Sequence, residues 1–390
     1  MSDEPSQGPI GISPPAVLRR AAIVHDWLPL VGGGEKVVAE MASLFPNSEI
    51  YTLFDFLTDE ERAAVTAGRP VHVSALNRLP GVRKYYRYLM LQATRAIEAF
   101  DVTDYDFVIS SSAALAKGVL TSPDQKHFAY VHSPARYAWD LTHEYIGSLG
   151  GLGGAVKRAA AREMMHRFRI WDMRTPQSVD HFIANSDFIR KRIWKVYRRE
   201  AEVIYPPVDV SAFSLSDKPR EDFYFTASRM VPYKRIPMIV EAFSRRPDLR
   251  LVVAGDGPDM KQVRQLAGPN VSVLGYVSHA MMIDHMQRCR AFVFAAKEDF
   301  GIVPVEAQAC GTPVVALGAA GTAETVCDLG SPAPTGVLFD EQSPESLLGA
   351  VDRLEAEIDG LDPLVIRANA ERFGRDVFRQ RLTDFVATNL

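Results

Sequence analysis

Short apolar runs recur along the chain, each followed by a glycine- or cation-bearing loop and a helix-like segment. The first series begins at residues 21–24 and the second at residues 223–226. In the second half the pattern predicts strands at 223–227, 250–254, 271–274, 291–295 and 313–317, with helices between them. Strands that alternate with helices are typical of doubly wound parallel sheets. The sequence therefore predicts an α/β protein with two such series.

A proline-rich junction separates the two series. Two consecutive prolines in Ile204-Tyr-Pro-Pro-Val-Asp209 stop regular structure. A final helix from about Pro363 to Asn389, which carries Phe373, Phe378 and Phe385, can pack back across this junction. The predicted organisation is a disordered leader at 1–18, a first domain at 19–205, a second domain at 206–370 and a returning C-terminal helix at 371–390.

Composition narrows the class of protein. A net charge of −4 argues against a dedicated nucleic-acid binder. The three cysteines show no CxxC spacing, so neither a disulfide framework nor a zinc site is indicated and a reducing cytoplasm fits best. No apolar run approaches the roughly 20 residues of a membrane-spanning helix. The N-terminus lacks the basic start and apolar centre of a signal peptide.

The segment Glu298-Asp-Phe-Gly-Ile-Val-Pro-Val-Glu306 follows the apolar run at 291–296. It indicates a buried strand, a tight loop and the first turns of a helix. Ligands of open α/β sheets bind at the carboxyl ends of strands, so the paired acids suggest recognition of a hydroxyl-rich ligand. The ordinary alternative is a helix-terminal acid and a solvated helix face. Glu306, however, lies between Val305 and Ala307, where an acid needs a partner.

Arg229, Lys234 and Arg235 lie between a predicted strand and a helix whose first turn contains Pro237. Cations at a helix N-terminus oppose the macrodipole, which prefers negative charge there. An anionic ligand resolves this conflict. We therefore favour a diphosphate held by Arg229 and Lys234 over solvated surface cations.

Two glycine loops and one histidine also follow predicted strands. The backbone of Gly32-Gly-Gly34 can approach a phosphate, and a flexible turn is an equally good interpretation. Gly255-Asp-Gly-Pro258 is more typical of a tight turn than of a nucleotide site. Asp26 fits the cap of a helix or loop. His132 fits a structural residue, although its place at a strand end favours contact with substrate.

Asp104 and Asp106 form a D-x-D sequence, which chelates a divalent ion in some sugar-nucleotide enzymes. Here the sequence precedes a strand instead of following one, so a capped turn is the better interpretation. We predict no catalytic metal.

A basic segment spans residues 78–95. Its apolar residues recur at helical spacing, and no acid lies between its cations, which are Arg78, Arg83, Lys84, Arg87 and Arg95. A cationic amphipathic helix of this kind can lie in an anionic membrane interface. A solvated helix packed on the sheet explains the same pattern equally well.

Together these motifs resemble the retaining glycosyltransferases of family four. The resemblance runs from about residue 20 to the C-terminus, with the motifs in the family's order. They are Gly32-Gly-Gly-Glu35, Tyr130-Val-His-Ser-Pro134, Asn185-Ser186, Arg229 with Lys234, Gly255-Asp-Gly257 and the Glu298–Glu306 segment. Residues 130–140 and 77–83 look more narrowly like bacterial exopolysaccharide mannosyltransferases that act on polyprenyl-diphosphate-linked oligosaccharides.

The resemblance implies the GT-B fold, in which two Rossmann-like doubly wound domains face each other across a cleft and the C-terminal helix crosses back to the first domain. The implied donor is GDP-mannose, with no cofactor and no metal. The implied acceptor is a polyprenyl-diphosphate-linked oligosaccharide. A protein of this kind associates peripherally with the inner face of the cell membrane.

The resemblance also implies roles for individual residues. Arg229 and Lys234 bind the donor diphosphate, and His132 contacts the sugar near its reacting carbon. Glu298 meets the transferred sugar together with the 300–302 backbone, and Glu306 bonds the ribose. The remaining implied residues are Gly33, Gly34, Gly255, Phe300, Gly301 and Ile302 for the donor, and Arg78, Arg83, Lys84 and Arg87 for the acceptor or membrane.

Several other functions remain as alternatives. They are a glycosyltransferase of the same fold with a UDP-sugar donor, a sugar-nucleotide epimerase and a non-catalytic module that binds a sugar nucleotide or a membrane. A retaining glycosidase needs two carboxyls about 5–5.5 Å apart. The cation pair Arg229 and Lys234 has no use in a hydrolase without a phosphate leaving group, so a glycosidase ranks low.

Overall fold

The computed structural model describes residues 16–147, 150–151, 153–217 and 219–390. Contacts divide the chain into two compact units. The first comprises the described residues up to Val131, with Ala135–Phe182 and Arg379–Leu390. The second comprises His132–Pro134 and Ile183–Phe378.

A seven-stranded sheet is built from the first series of strands, in the order β3-β2-β1-β4-β5-β6-β7, and β1 to β5 pair in parallel. Its strands are Ala21–His25 (β1), Ser48–Thr52 (β2), Val71–Val73 (β3), Phe107–Ser112 (β4), Lys126–Val131 (β5), His181–Ala184 (β6) and Ala201–Val203 (β7). The helices of this half are Gly33–Leu44 (α1), Asp59–Thr66 (α2), Met90–Glu98 (α3), Thr142–Gly147 (α4), Gly154–Arg174 (α5) and Asp187–Tyr197 (α6).

A six-stranded parallel sheet is built from the second series, in the order β10-β9-β8-β11-β12-β13. Its strands are Tyr224–Ala227 (β8), Leu251–Ala254 (β9), Val271–Gly275 (β10), Ala291–Phe294 (β11), Val314–Leu317 (β12) and Gly336–Phe339 (β13). The helices are Ile236–Ser244 (α7), Met260–Leu266 (α8), His279–Arg288 (α9), Ile302–Ala309 (α10), Thr322–Thr325 (α11), Pro344–Glu357 (α12), Pro363–Glu371 (α13) and Arg375–Asn389 (α14). The predicted fold class of two parallel, Rossmann-like α/β sheets is confirmed.

Both faces of the six-stranded sheet are buried. Alternate residues along each strand enter different apolar clusters, because successive side chains of a strand point to opposite faces. Tyr224 and Val293, for example, pack in one cluster with helices α7 and α12, whereas Phe225 and Phe292 pack in the other with α10. Continuous apolar strands are therefore stable here, as in parallel sheets generally.

The prediction of one helix across the basic segment is wrong. Residues 75–78, 82–84 and 86–88 form three short 3-10 turns, and only Met90–Glu98 is α-helical. Pro80 lacks a backbone N–H, and Gly81 adopts a φ of 67°, so the helix cannot pass through this point. The apolar stripe is nevertheless buried as its spacing predicts, at Val82, Tyr86, Met90 and Ala93.

The predicted C-terminal helix is two helices, α13 and α14. The chain is interrupted at residues 372–374, where the N–H of Val208 bonds the carbonyl of Phe373 and Val208 forms an isolated bridge with Gly374. Beyond this point residues 379–390 belong to the first unit. There Phe385 packs its ring edge-on against Phe128, and Arg379 Nε lies 2.5 Å from Glu40 Oε2.

The disordered leader and the domain boundary near residue 206 remain predictions. Residues 1–15 lie outside the described residues, and Ala16–Leu18 form a 3-10 turn. The boundary near residue 206 falls in the irregular stretch after β7. Contacts place residues 183–205 with the second unit, whereas hydrogen bonding places β6 and β7 in the first sheet.

Candidate functional site

The strand order of the six-stranded sheet reverses between β8 and β11. From β8 the chain proceeds through β9 to β10 on one side, and then returns to place β11 on the other side of β8. The loops that leave two such strands separate and open a crevice at their carboxyl ends, where ligands of doubly wound sheets bind. The loop after β8 carries Arg229 and Lys234, and the loop after β11 carries Glu298.

Lys234 and Glu298 form an ion pair across this reversal point. Their side chains are only 12% and 20% exposed, so the pair is much less screened than one on the surface. The Lys234 ammonium also lies 5.3 Å from the centre of the Phe294 ring and 5.4 Å from that of Tyr233. A lysine ammonium has three donors, so Lys234 can bond Glu298 and still meet a ligand.

Arg229 is exposed, and its guanidinium makes no ion pair with any described residue. The backbone on either side of it is held firmly. Met230 donates its N–H to the carbonyl of Asp256 at 2.8 Å, and Ser228 donates to Ala254 at 3.2 Å. The structure therefore presents a free guanidinium on the same anchored loop that carries Lys234.

Gly255 is required where the loops after β8 and β9 meet. Its φ is 124°, and a Cβ there would lie 1.8 Å from the carbonyl oxygen of Ser228. Its N–H bonds the carbonyl of Gly275 at 2.7 Å, which fixes the loop to the end of β10. Any larger residue would displace Ser228 and with it the adjacent Arg229. Gly255 thus sets the backbone geometry of the loop after β8 that carries Arg229 and Lys234, which we call the cation loop.

The loop from Glu298 to α10 is held by the loop after β12. Gly321 donates its N–H to the carbonyl of Glu298 at 2.9 Å, and a Cβ on Gly321 would lie 2.2 Å from Phe300 Cα. Gly301, with a φ of 88°, precedes the first residue of α10, Ile302. The first N–H groups of an α-helix have no partner within it, so this end favours an anion. Glu306, on the same helix, is 5% exposed.

His132 is linked to the Glu298 loop by a short chain of hydrogen bonds. Asn185 donates its side-chain amide to the carbonyl of His132 at 2.9 Å. The hydroxyl of the next residue, Ser186, donates to the carbonyl of Asp299 at 2.6 Å. Asn185 and Ser186 formed part of the family resemblance without an assigned role. The structure makes them residues that position the backbone at His132 and at Asp299.

Glu324 is a residue that the sequence interpretation missed. Its two carboxylate oxygens accept the N–H groups of Asp187 and Phe188, at 2.7 and 2.8 Å, at the start of α6. It also accepts the Tyr205 hydroxyl at 3.2 Å. Burial raises the pKa of Tyr205, and the Glu324 charge adds to that rise. Glu324 caps α6 from a distant part of the sequence, so local residue spacing does not reveal its role.

The glycine loop of the first unit is closed by Glu35. One carboxylate oxygen of Glu35 accepts the Gly32 N–H at 3.0 Å, and the other lies 3.9 Å from His25 Nε2. Burial acts to raise the pKa of Glu35, but the hydrogen bond and charge of His25 outweigh it and hold the pKa below its ordinary value. Gly33 and Gly34 are the first two residues of α1, and Gly33 is exposed.

Asp26 fills the reversal point of the seven-stranded sheet, between β1 and β4. Its carboxylate is 1% exposed and accepts four successive backbone N–H groups, those of residues 113–116, at 2.5 to 2.8 Å. The prediction that Asp26 caps a loop is confirmed. In the first unit, therefore, the protein's own carboxylate occupies the anion-binding backbone, whereas in the second unit the corresponding point carries cations.

The D-x-D acids serve the backbone or face solvent. Asp106 accepts the N–H of Arg20 at 2.7 Å, and Asp104 is exposed. Within the described ranges, no group of three or more His, Cys, Asp or Glu side chains is arranged to hold a metal ion.

The basic residues Arg78, Arg83, Lys84 and Arg87 are all exposed, and they lie on the 3-10 turns of the first unit. Among the described helices, none has both the length and the apolar character needed to cross a membrane.

Comparison with known families matches nearly the whole folded chain. The profile of Glycosyltransferase Family 4 matches residues 31–212, and that of Glycosyl transferases group 1 matches residues 209–369. The chain belongs to the GT-B glycosyltransferases. The cation loop and the Glu298–Glu306 segment both lie within the second matched region.

Two curated relatives are named as a glycosyltransferase and a mannosyltransferase. D-inositol 3-phosphate glycosyltransferase of Mycobacterium marinum is 29% identical over 307 residues, which is 66% of this chain and 60% of that protein. A GDP-mannose-dependent monoacylated alpha-(1-6)-phosphatidylinositol monomannoside mannosyltransferase of Corynebacterium glutamicum is 32% identical over 184 residues, 41% of this chain and 45% of the relative. The chain thus spans less than two thirds of the length of each.

Solved structures share the fold. Anabaena HepE in complex with UDP has a TM-score of 0.69 at 16% identity, and the match covers 95% of this chain and 100% of that one. The apo form of the lipopolysaccharide outer core galactosyltransferase WaaB has a TM-score of 0.64 at 16% identity, with the same coverage. Both likenesses support the GT-B glycosyltransferase fold.

Proposed function

We propose that this glycosyltransferase is a retaining α-mannosyltransferase that moves mannose from GDP-mannose to a polyprenyl-diphosphate-linked oligosaccharide in bacterial exopolysaccharide assembly. The observation that carries the transferase chemistry is the Lys234–Glu298 pair at the strand-order reversal, with Arg229 exposed on the same loop as Lys234. A cation loop on one side and a carboxylate on the other suit a nucleotide sugar, which has an anionic diphosphate and a hydroxyl-rich ring.

The proposed mechanism follows from charge development. As the anomeric C–O bond of the donor stretches, the sugar becomes oxocarbenium-like and the leaving diphosphate gains negative charge. Arg229 and Lys234 stabilise that charge most in the transition state, so their contribution appears in kcat as well as in binding. The N-terminus of α10 adds N–H groups on the same side. Preorganised cations of this kind take the place that a metal ion holds in other transferases.

Retention is proposed to follow from attack on the donor's front face. In this scheme an oxygen of the donor phosphate takes the proton of the acceptor hydroxyl, and no side chain acts as nucleophile. Glu298 and the 300–302 backbone meet the transferred sugar, Glu306 bonds the ribose hydroxyls, and His132 contacts the sugar near the reacting carbon. Gly33 and Gly34 are also proposed to bind the donor through their backbone.

The choice of donor is supported by the Corynebacterium glutamicum relative, which is described as GDP-mannose-dependent. The decisive experiment is transfer of radiolabelled mannose to a synthetic prenyl-diphosphate oligosaccharide, with GDP-mannose, UDP-glucose and UDP-N-acetylglucosamine compared, each with and without EDTA. We expect transfer from GDP-mannose alone, unaffected by EDTA and with an α-linked product. Transfer from a UDP-sugar would replace the donor, and donor consumption without acceptor would favour an epimerase.

The exposed cations Arg83, Lys84 and Arg87 are proposed to hold the enzyme at the inner membrane face, where a polyprenyl acceptor lies. The Arg83 guanidinium is 6.0 Å from the centre of the Phe56 ring, which packs against the core of the first unit. Co-sedimentation with anionic vesicles should fall when these three residues become Ser. The same number of exposed charges removed elsewhere, at Lys261, Arg264 and Arg250, provides the control. Equal binding by both triple variants would refute membrane association through this patch.

A further inference from the structure

A cavity of about 550 Å³ opens between α4 and α5, within the first unit. Helix α4 contributes His143 and Ile146 to its wall, and α5 contributes Arg162, Glu163, His166 and Arg169. None of these residues has a role in the transfer site described above. The volume lies within the range of about 300–1,000 Å³ that is typical of small-molecule sites.

The spacing of the α5 residues explains why they share one wall. Residues three or four apart lie on the same face of a helix, and Arg162, His166 and Arg169 follow this spacing. The adjacent face of α5 packs into the core of the first unit through Met165 and Phe168. The rigid, core-anchored helix therefore presents a row of nitrogen donors along the cavity.

The charge of the cavity is positive. Arg162 and His166 are exposed, and neither forms an ion pair with a described residue. The cavity is lined by two arginines and one acid, Glu163, whose carboxylate lies 2.6 Å from the Nε of Arg167, a residue outside the lining. Arg169 donates one N–H to the carbonyl of Ala138 at 2.9 Å, which orients the guanidinium and leaves its other donors available.

The cavity is also tied to the segment that precedes α4. Thr142, which lines the cavity, donates its hydroxyl to the carbonyl of Tyr137 at 2.9 Å, and the Tyr137 ring packs 6.0 Å from that of Phe168 on α5. Because Arg169 of α5 also bonds the carbonyl of Ala138, residues 137–138 contact both the α4 wall and the α5 wall of the cavity. The shape of the cavity is therefore set by these hydrogen bonds to the backbone and by this ring contact, in addition to its exposed side chains.

We propose that this cavity binds the diphosphate of the lipid-linked acceptor, an inference that rests on the proposed function. Guanidinium groups form directional, bidentate bonds to phosphate oxygens, and imidazoles add further donors. Donors arranged around a cavity suit a diphosphate, which presents several oxygens with high charge. A phospholipid headgroup, with a single charge on its phosphodiester, would use fewer of them.

Binding of inorganic pyrophosphate, measured by calorimetry at pH 7, tests the cavity without any transfer reaction. The parent protein carries Arg229→Gln and Lys234→Gln, so that the donor site does not contribute. We expect binding that weakens at least 10-fold when Arg162→Gln and His166→Gln are added. Adding Lys157→Gln should leave it unchanged, since Lys157 is exposed on α5, about two and a half turns before His166 and so on the opposite face, and does not line the cavity. Equal affinity in all three proteins would overturn the proposal.

Acceptor kinetics and vesicle binding identify the source of the phosphate. In an otherwise unaltered enzyme, Arg162→Gln with His166→Gln should raise the acceptor KM at least 10-fold and leave the donor KM unchanged. An unchanged acceptor KM would refute the acceptor diphosphate as ligand, and lost sedimentation with phosphatidylglycerol vesicles would then assign the cavity to a headgroup. If no acceptor is glycosylated but pyrophosphate binding still depends on Arg162 and His166, the proposed function fails and the diphosphate cavity stands.

Discussion

Lys234 and Glu298 are 64 residues apart in the chain, yet their side chains form an ion pair at the point where the strand order of the second sheet reverses. The pair holds the cation loop and the carboxylate loop together before any ligand is bound. A bound diphosphate would share the Lys234 ammonium with Glu298, whose negative charge repels that of the diphosphate. The roles of the two residues can be distinguished by mutating each one separately.

Lys234→Ala should lower kcat/KM by about 100-fold or more, because one charge contact to the leaving diphosphate is lost in the transition state. Steady-state transfer from GDP-mannose measures the effect. Lys261→Ala removes an exposed lysine from α8 and should leave kcat/KM unchanged. Turnover near that of the wild type in Lys234→Ala would remove Lys234 from the mechanism.

Glu298→Gln should affect GDP binding and sugar transfer differently. The substitution removes the repulsion between the Glu298 carboxylate and the diphosphate, so affinity for GDP should be unchanged or higher. Transfer should fall by about 10-fold or more, since Glu298 is proposed to meet the sugar. Calorimetric titration with GDP and initial rates give the two quantities. Weaker GDP binding in this variant would show that Glu298 orients the cation loop.

Gly255→Ala should destabilise the protein and weaken donor binding, because the new Cβ would lie 1.8 Å from the Ser228 carbonyl at a φ of 124°. We expect a loss of about 2 kcal/mol or more in the free energy of unfolding. Gly349→Ala is the matched control, since nothing lies within 4 Å of the added Cβ on α12. That change should stabilise the protein by up to about 1 kcal/mol. Equal effects of the two changes in urea unfolding would contradict this account.

Asp26→Asn should lower the free energy of unfolding by roughly 2–4 kcal/mol, because an amide nitrogen cannot accept the N–H groups that one carboxylate oxygen now accepts. Urea unfolding monitored by fluorescence measures the loss. Asp104→Asn, at an exposed position, should change the stability little. A small effect of Asp26→Asn would mean that water replaces the carboxylate at residues 113–116.

Stability should fall in mild acid because of His127. Burial lowers the pKa of His127 to about 4, whereas in the unfolded chain it titrates near 6.5. Below pH 6.5 the unfolded state therefore binds the proton first, and stability is lost as the pH falls from 6.5 to about 4. The loss at the lower limit is roughly 3 kcal/mol.

Replacing this histidine provides the check. His127→Gln should remove most of the pH dependence between 6.5 and 4, measured as the urea midpoint. His279→Gln, at an exposed histidine of α9, should retain it. An unaltered pH profile in His127→Gln would assign the acid sensitivity to other groups.

Much of the second sheet could be predicted from the sequence. The five strands predicted there are β8 to β12 to within a residue or two at each end, because apolar runs bounded by glycine and proline specify buried parallel strands directly. β13 was missed, since it begins with a glycine and its apolar run is only the three residues 337–339. The basic segment was misread as one helix because helical spacing of apolar residues outweighed the break at Pro80 and Gly81.

The sequence by itself determined the two α/β series and the presence of cations, acids and glycines at the ends of particular strands, because these depend on local spacing. Only the tertiary structure decided that β8 adjoins β11, so that Lys234 meets Glu298, and that Asp26 meets the backbone at 113–116. It also brought Asn185 to His132 and Glu324 to the start of α6. Such contacts join residues 53 to 137 positions apart. Their formation depends on the order of strands in a sheet, which local patterns do not encode.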